Sequence, residues 1–352
     1  MRLAKGTEMS KVKKLKDIGE LKILSWIHSE LSGRTKSRDD VVLGVGDDAA
    51  VLKIEQTEQL VITVDSLVEG VHFSLDYFTP EDVGWKALAV NLSDLAAMFA
   101  KPVAVLVSLA MPSSLPFMWV KRFYRGMLEV ANKFGVAVVG GDTSSSPSSI
   151  FISVSAIGVN SASVPLRSTA EVGDAVIATG TFGDSAIGLK LLREAGAQAV
   201  KRSRVLRRLA MRQLRPTPRV NEALVAASTG LCKCAIDVSD GLASDLSKIA
   251  QLSGVRICLW LEKIPISKEA IEASKRFSYS PLEMALTGGE DYELIMTTPK
   301  AYASSLCEAI EKECGTKCTI IGEVESGEPL VYGVDSNGKL IEVAGGYEHF
   351  VS

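Results

Sequence analysis

The hydrophobic and polar positions along the chain switch repeatedly between two periods. Over 17–31, apolar residues fall at Ile18, Leu21, Leu24 and Ile27, the spacing of a helix with one buried face. Segments 41–45, 49–54 and 60–64 are short, apolar and β-rich, and predict strands. The next stretch, 80–100, predicts a long helix. Thr79 stands ready as its N-cap, Pro80 takes the first helical position, and Glu81 and Asp82 follow where a carboxylate suits the positive end of the helix dipole. Residues 103–111 predict a strand, 117–134 a helix, 136–139 a short strand stopped by Gly140-Gly141, and 150–159 another strand. Beyond 160 the style repeats, with strands expected at 175–179, 235–238, 255–261, 292–297 and 319–324. Helices are expected at 184–195, at 242–252 and between the last two strands. This alternation predicts an α/β (α+β, mixed-sheet) protein of two domains. The Ser-rich stretches 144–149 and 159–164 read as loops, which puts the boundary near 160. The expected units are a mobile extension at 1–16, an N-terminal α/β domain at 17–160 and a C-terminal α/β domain at 161–352.

Composition narrows what such a fold can do. The chain has 352 residues, 47% hydrophobic and 23% charged, enough to bury a large core and far from a disordered or fibrous balance. A formal net charge of −3 gives no reason to expect a nucleic acid or a membrane surface as partner. No apolar run approaches the roughly 18 residues of a membrane span. The basic start (Arg2, Lys5, Lys11, Lys13, Lys14, Lys16) leads into an amphipathic segment rather than a signal peptide's apolar region. The six cysteines, at Cys232-x-Cys234, Cys258, Cys307 and Cys314-x-x-x-Cys318, match no zinc spacing, and read as buried thiols of a reducing cytoplasm. One stretch breaks the charge balance: Lys201 to Arg219 holds eight basic residues and no acid. It reads as a solvated helix face or as an anion-attracting surface beside a phosphate site.

The placement of acids is the informative feature. Asp47 and Asp48 follow an apolar strand in Gly44-Val45-Gly46-Asp47-Asp48-Ala49-Ala50. Asp65 ends Val61-Ile62-Thr63-Val64, Asp94 lies inside the apolar helix run 88–97, and Asp142 follows Val138-Val139-Gly140-Gly141. Asp237 and Asp240 flank a strand-to-helix turn. A buried unpaired carboxylate costs several kcal/mol, and Lys and Arg are nearly absent from these segments. A hard divalent cation with oxygen ligands would neutralise them, and carboxylates together with phosphate oxygens are the ligand set of Mg²⁺ at phosphoryl-transfer sites. Each Asp singly could instead be a cap or turn former, as Asp240 before a helix. Gly140-Gly141-Asp142-Thr143 could bring bare backbone N–H groups to a phosphate, whereas no Walker A, dinucleotide or protein-kinase signature is present.

Seven ordered segments together carry a resemblance. They are Gly44–Leu52, Thr63–Phe73, Lys86–Met98, Gly140–Thr143, Leu214–Val220, Asp237–Leu242 and Gly288–Leu294, and they resemble the thiamine-monophosphate kinase family from about residue 17 to the C-terminus. The resemblance implies an aminoimidazole-ribonucleotide-synthetase-like fold, paired as a homodimer through the N-terminal domain, and ATP-dependent conversion of thiamine monophosphate to thiamine diphosphate. By matching positions it implies that Asp48, Thr63, Val64 (through its backbone), Asp65, Asp94, Asp142, Asp237 and Asp240 hold several Mg²⁺ ions, with Asp47 beside them. Gly141, Asp142, Arg167 and Ser239 would contact ATP, and His72, Glu290 and Tyr347 the thiamine phosphate, with Trp260 and Phe350 as rival aromatics. Because the acceptor is a phosphate oxygen already largely ionised near neutral pH, no general base is expected and transfer would be direct and in line. His72 is then a binding group. The chain departs from the family pattern at Phe99, where glycine is usual, and at Ser144-Ser145-Ser146-Pro147. The alternatives are another ATP-dependent synthetase of the same superfamily, or a non-catalytic nucleotide-binding protein. Neither a reactive N-terminal cysteine nor a C-terminal one is present to support the related synthetase or maturation activities.

Overall fold

In the computed structural model the described residues are 13–18, 20–35, 39–43, 51–53 and 59–347. The helix expected at 17–31 falls in α1 (Leu15–Ile18) and α2 (Glu20–Thr35), followed by the small antiparallel pair β1 (Val41–Leu43) and β2 (Val51–Leu52). Of the expected N-terminal extension, residues 1–12 lie outside the described residues, while Leu15 is buried and its N–H donates to the Leu115 carbonyl at 2.9 Å.

The N-terminal half is built on a four-stranded sheet in the order β3-β6-β4-β5. Its strands are β3 (Gln59–Val68), β4 (Lys101–Pro112), β5 (Ala137–Ser146) and β6 (Phe151–Asn160), with only the β4–β5 pair parallel. Two helices, α3 (Pro80–Ala97) and α4 (Phe117–Phe134), lie against one face. The predicted start of α3 is observed, with Thr79 and Asp82 forming a reciprocal capping box. Helices α3 and α4 cross closely enough that a Cβ at Gly84 would collide with the Phe123 backbone. Residues alternate on β3 as a half-covered strand requires, Val61, Thr63, Asp65 and Leu67 turned to the helices and Leu60, Ile62 and Val64 exposed on the open face.

Two local readings change here. The strand expected to stop at Gly140-Gly141 runs on to Ser146, so Ser144–Ser146 is strand rather than loop. Its pairing with β4 shifts by a bulge between Val105 and Leu106, and Gly141 (φ 152°) approaches the Val107 carbonyl so closely that a Cβ would clash. The glycines thus serve a bulged parallel pairing. At the end of α3, Phe99 adopts φ 52°, the left-handed position that usually favours glycine. Its buried ring and the Asn160 side-chain N–H groups, which reach the Met98 and Phe99 carbonyls at 3.1 Å each, hold it there.

The C-terminal half has a seven-stranded sheet in the order β13-β12-β9-β11-β7-β10-β8. Its strands are β7 (Asp174–Thr179), β8 (Cys234–Asp237), β9 (Arg256–Trp260), β10 (Leu294–Pro299), β11 (Cys318–Glu325), β12 (Val331–Val334) and β13 (Leu340–Glu342). Between them run α5 (Asp184–Glu194), α6 (Gly196–Arg202), α7 (Arg204–Leu214), α8 (Val220–Thr229), α9 (Leu242–Ser253), α10 (Lys268–Ser274), α11 (Pro281–Thr287) and α12 (Ala303–Cys314). Apolar residues of α7 and α8 join those of α3 and α4 in one buried cluster, so the two halves share a core. All six cysteines are free thiols, and no helix among the described residues is long and apolar enough to cross a membrane.

Candidate active site

Helix α3 ties the two sheets together at one spot through three neighbouring polar residues. Asn91 Oδ1 accepts from the Asp65 N–H at 3.1 Å on β3, Ser93 Oγ donates to Asp237 Oδ2 at 2.7 Å on β8, and Asp94 Oδ2 accepts from Thr63 Oγ1 at 2.5 Å. Asn91 and Ser93 are buried, which fixes where they can point. The result brings together Asp65, Asp94 and Asp237, the last more than 140 residues from the other two in sequence.

Their protonation reports that closeness. Burial, then the charges of Asp237 and Asp240, pushes the Asp65 carboxyl up to about 6. Burial, then Asp65, raises Asp94 to about 6, against the Thr63 bond and the Arg167 charge. Burial, then Asp94, raises Asp237 to about 7, with the Ser93 bond opposing. Among the described residues none of these three carboxylates has an ion-pair partner, and Arg167 acts on Asp94 and Asp237 only at longer range. No three His, Cys, Asp or Glu side chains among the described residues close on a single metal-holding point. The donors are oxygens on three separate elements, and a Mg²⁺ ion, which keeps several waters and takes phosphate oxygens, needs no all-protein cage to be held by such a set.

The turn after β8 completes this side. Asp245 Oδ2 accepts the N–H groups of both Ser239 and Asp240 at 3.0 Å, which shapes the turn. Lys248 Nζ bonds Asp240 at 2.7 Å and Asp245 at 2.6 Å. The sequence-based expectation that no protein cation serves these acids therefore fails for Asp240. The Tyr347 N–H donates to the Asp240 carbonyl at 2.8 Å, bringing the C-terminal segment back to the turn. Trp260 stands at the end of β9, four strand spacings or about 19 Å from β8. Phe350 lies outside the described residues.

A second group lies beside the acids. Lys86, wholly buried in α3, pairs with Glu290 Oε1 at 2.6 Å and donates to the His72 carbonyl at 3.1 Å. Gln213 Nε2 holds the other Glu290 oxygen at 2.6 Å. His72 Nδ1 accepts the Val68 N–H at 3.0 Å, which commits that nitrogen as an acceptor and leaves Nε2 to carry the proton of the neutral ring. Glu290 and Tyr292 both take positive φ, 68° and 52°. Buried Asp291 between them anchors the segment by accepting the Gly183 and Ser185 N–H groups at 2.6 and 3.1 Å.

Other expected residues are placed differently. Asp142 and Gly141 are exposed on β5, at the opposite edge of the four-stranded sheet from Asp65. Three strand spacings, about 14 Å, separate them within one chain. The Val64 side chain faces away from the acids, on the open face. Arg167 is exposed. Asp47 and Asp48 lie outside the described residues. Sequence reasoning passed over Lys86, Gln213, Asn91 and Ser93. Lys86 and Asn91 carried a usable signal, being polar residues inside an apolar helix; Gln213 and Ser93 carried none.

Residues 46–160 match the family described as AIR synthase related protein, N-terminal domain, and 171–335 match its C-terminal domain. The chain is 37% identical over 335 residues to the thiamine-monophosphate kinase of Buchnera aphidicola subsp. Schizaphis graminum, covering 95% of this chain and all of that one. It superposes on the crystal structure of thiamine-monophosphate kinase from Stenotrophomonas maltophilia K279a with a TM-score of 0.80 at 36% identity, covering 90% of this chain and 96% of that one. A structure of AaThiL complexed with AMPPCP and TMP is similar over 97% of this chain and all of that one, with a TM-score of 0.75 and 35% identity.

Proposed function

The chain belongs to the thiamine-monophosphate kinase family of AIR synthase related proteins, and from that premise we propose how its residues carry out the reaction. The protein is an ATP-dependent kinase that phosphorylates thiamine monophosphate to thiamine diphosphate. The observation that carries the site assignment is the gathering of Asp65 and Asp94, both half-buried, with buried Asp237, none with an ion-pair partner among the described residues, next to the Lys86-held pair His72 and Glu290.

We infer that Asp65, Asp94, Asp237 and Asp240, with Thr63, the Val64 carbonyl and Asp48, hold Mg²⁺ ions. When bound, the metal neutralises the charge of two polyanions that must meet and polarises the transferred group. Asn91 and Ser93 keep Asp65 and Asp237 in place before any ligand arrives. Ser239 and Arg167 take ATP on the α9 side. His72 binds the acceptor phosphate; its Nδ1 is spent on the backbone, so it is not placed to remove a proton. No proton need be removed, because the acceptor oxygen is already largely ionised, so transfer is direct and no phosphoenzyme forms. Glu290 and Tyr347 bind the cationic aromatic part of the acceptor.

The protein works as a cytoplasmic homodimer in this reading. Leu60, Ile62 and Val64 expose an apolar sheet face, at 46%, 63% and 59%, that a second copy would cover. Pairing with a second copy also offers a route by which Asp142 and Gly141 of that copy reach the acid cluster that they cannot approach within one chain. The experiment is an acceptor screen with ATP and Mg²⁺. ADP should form with thiamine monophosphate and not with thiamine, aminoimidazole precursors or selenide. Equal ATP loss with and without thiamine monophosphate would overturn the assignment.

A further inference from the structure

The basic run 201–219 finds an unexpected use. Arg212 and Arg219 are turned inward and both bond the fully buried Glu293, Arg219 Nε at 2.6 Å, and Arg215 bonds Asp82 at 2.5 Å. A merely solvated face does not describe them. Arg208, Arg212 and Arg219 line a half-open cavity of about 530 Å³ at the end of β7, together with the exposed Lys268 and Lys317. Its volume is in the range of small-molecule sites. Neither the acid cluster nor Glu290 nor His72 lines it.

The charge inventory of this cavity is lopsided. Five cationic side chains face three carboxylates, Asp184, Glu269 and Glu293. All three carboxylates are already engaged: Glu293 by Arg212 and Arg219, Glu269 by Arg208 at 2.7 Å, and Asp184 by the Thr181 and Ser267 hydroxyls at 2.7 and 2.5 Å. Lys268 and Lys317 make no ion pair among the described residues. The cavity therefore offers donors and positive charge in excess and few acceptors.

We propose that this cavity is a second ligand site, distinct from the kinase centre, for a small anion bearing phosphate groups. Tetrahedral oxyanions match a ring of guanidinium and ammonium donors. Occupancy would be felt at the acceptor side, because Arg212 also donates to the Asp291 carbonyl and its neighbour Gln213 holds Glu290. The inference does not depend on which acceptor the kinase uses, since binding is measured directly.

The test is calorimetric titration of the full-length protein in EDTA, where the metal-free acid cluster repels anions. Inorganic pyrophosphate and ribose 5-phosphate separate an inorganic ligand from a phosphate ester, and citrate serves as a non-phosphate trianion. The expected result is binding of at least one phosphate compound, weakened at least tenfold by K268E/K317E with an unchanged melting temperature. K317E alone should weaken it in the same direction. Three results would overturn the proposal: no binding in EDTA, binding unaffected by both variants, or citrate binding as tightly as the phosphate compounds.

Discussion

Asp237 and Glu293 sit one strand apart at the same end of the same sheet, Asp237 paired with Leu294, and both are buried. Their surroundings are opposite. Burial alone would raise Glu293, but Arg219 and then Arg212 outweigh it and hold the carboxyl below its ordinary value. Burial raises Asp237 to about 7, and the charge that acts on it most, Asp94, adds to the rise. Glu290 stands between these extremes, with one buried lysine and one amide. The sheet end thus contains one carboxylate that the protein neutralises itself and a cluster that it leaves to be neutralised. A fold able to supply two arginines at one position could have done so at the next, and their absence at Asp237 marks a place for a cation from outside.

Breaking the satisfied side should have the largest effect. Arg219→Met leaves buried Glu293 with one arginine and should cost about 3–5 kcal/mol of stability, read by urea unfolding. A loss under about 1 kcal/mol would mean that Arg212 suffices. The intermediate case comes next. Lys86→Met removes a charged hydrogen bond worth about 2 kcal/mol and should raise the KM for thiamine monophosphate by tenfold or more, leaving the KM for ATP nearly unchanged. Equal changes in both would make Lys86 merely structural. The unsatisfied side gives the smallest effect, and its sign is the informative part. Asp237 has a folded value raised from 3.8 to about 7, so its contribution to stability is full below pH 3.8 and is lost as pH rises through about 7. In metal-free buffer Asp237→Asn should therefore match the wild type near pH 4 and be more stable than it at pH 8. A variant less stable than the wild type at pH 8 would contradict this.

Much of this organisation was legible in the amino acids, where local chemistry decides the outcome. Thr79-Pro80-Glu81-Asp82 announces the start of α3, and the bounds of α4 follow from its apolar face and from Gly135 in the left-handed C-cap. The acids were legible because carboxylates in apolar company need a reason. What escaped depends on long-range pairing. The continuation of β5 past Gly140-Gly141 is imposed by the parallel partner β4, and β13, exposed along its whole length, has no buried face to write a pattern. Glu293 and Glu290, the carboxylates that hold Arg212, Arg219 and Lys86, lie more than 70 residues away from them in sequence, so a basic run looked like a solvated surface. Asp142 is instructive in the opposite sense: its motif is plain in the sequence, yet one chain holds it on the far edge of the sheet.

The most direct probe of the acid cluster is the melting temperature at pH 8 as Mg²⁺ and AMPPCP are added, compared between wild type and Asp94→Asn. Ligands that bind only the folded state raise its stability in proportion to the logarithm of their concentration over Kd. The wild type should climb steadily while Asp94→Asn stays nearly flat. Parallel curves for the two proteins would show that the cation binds elsewhere.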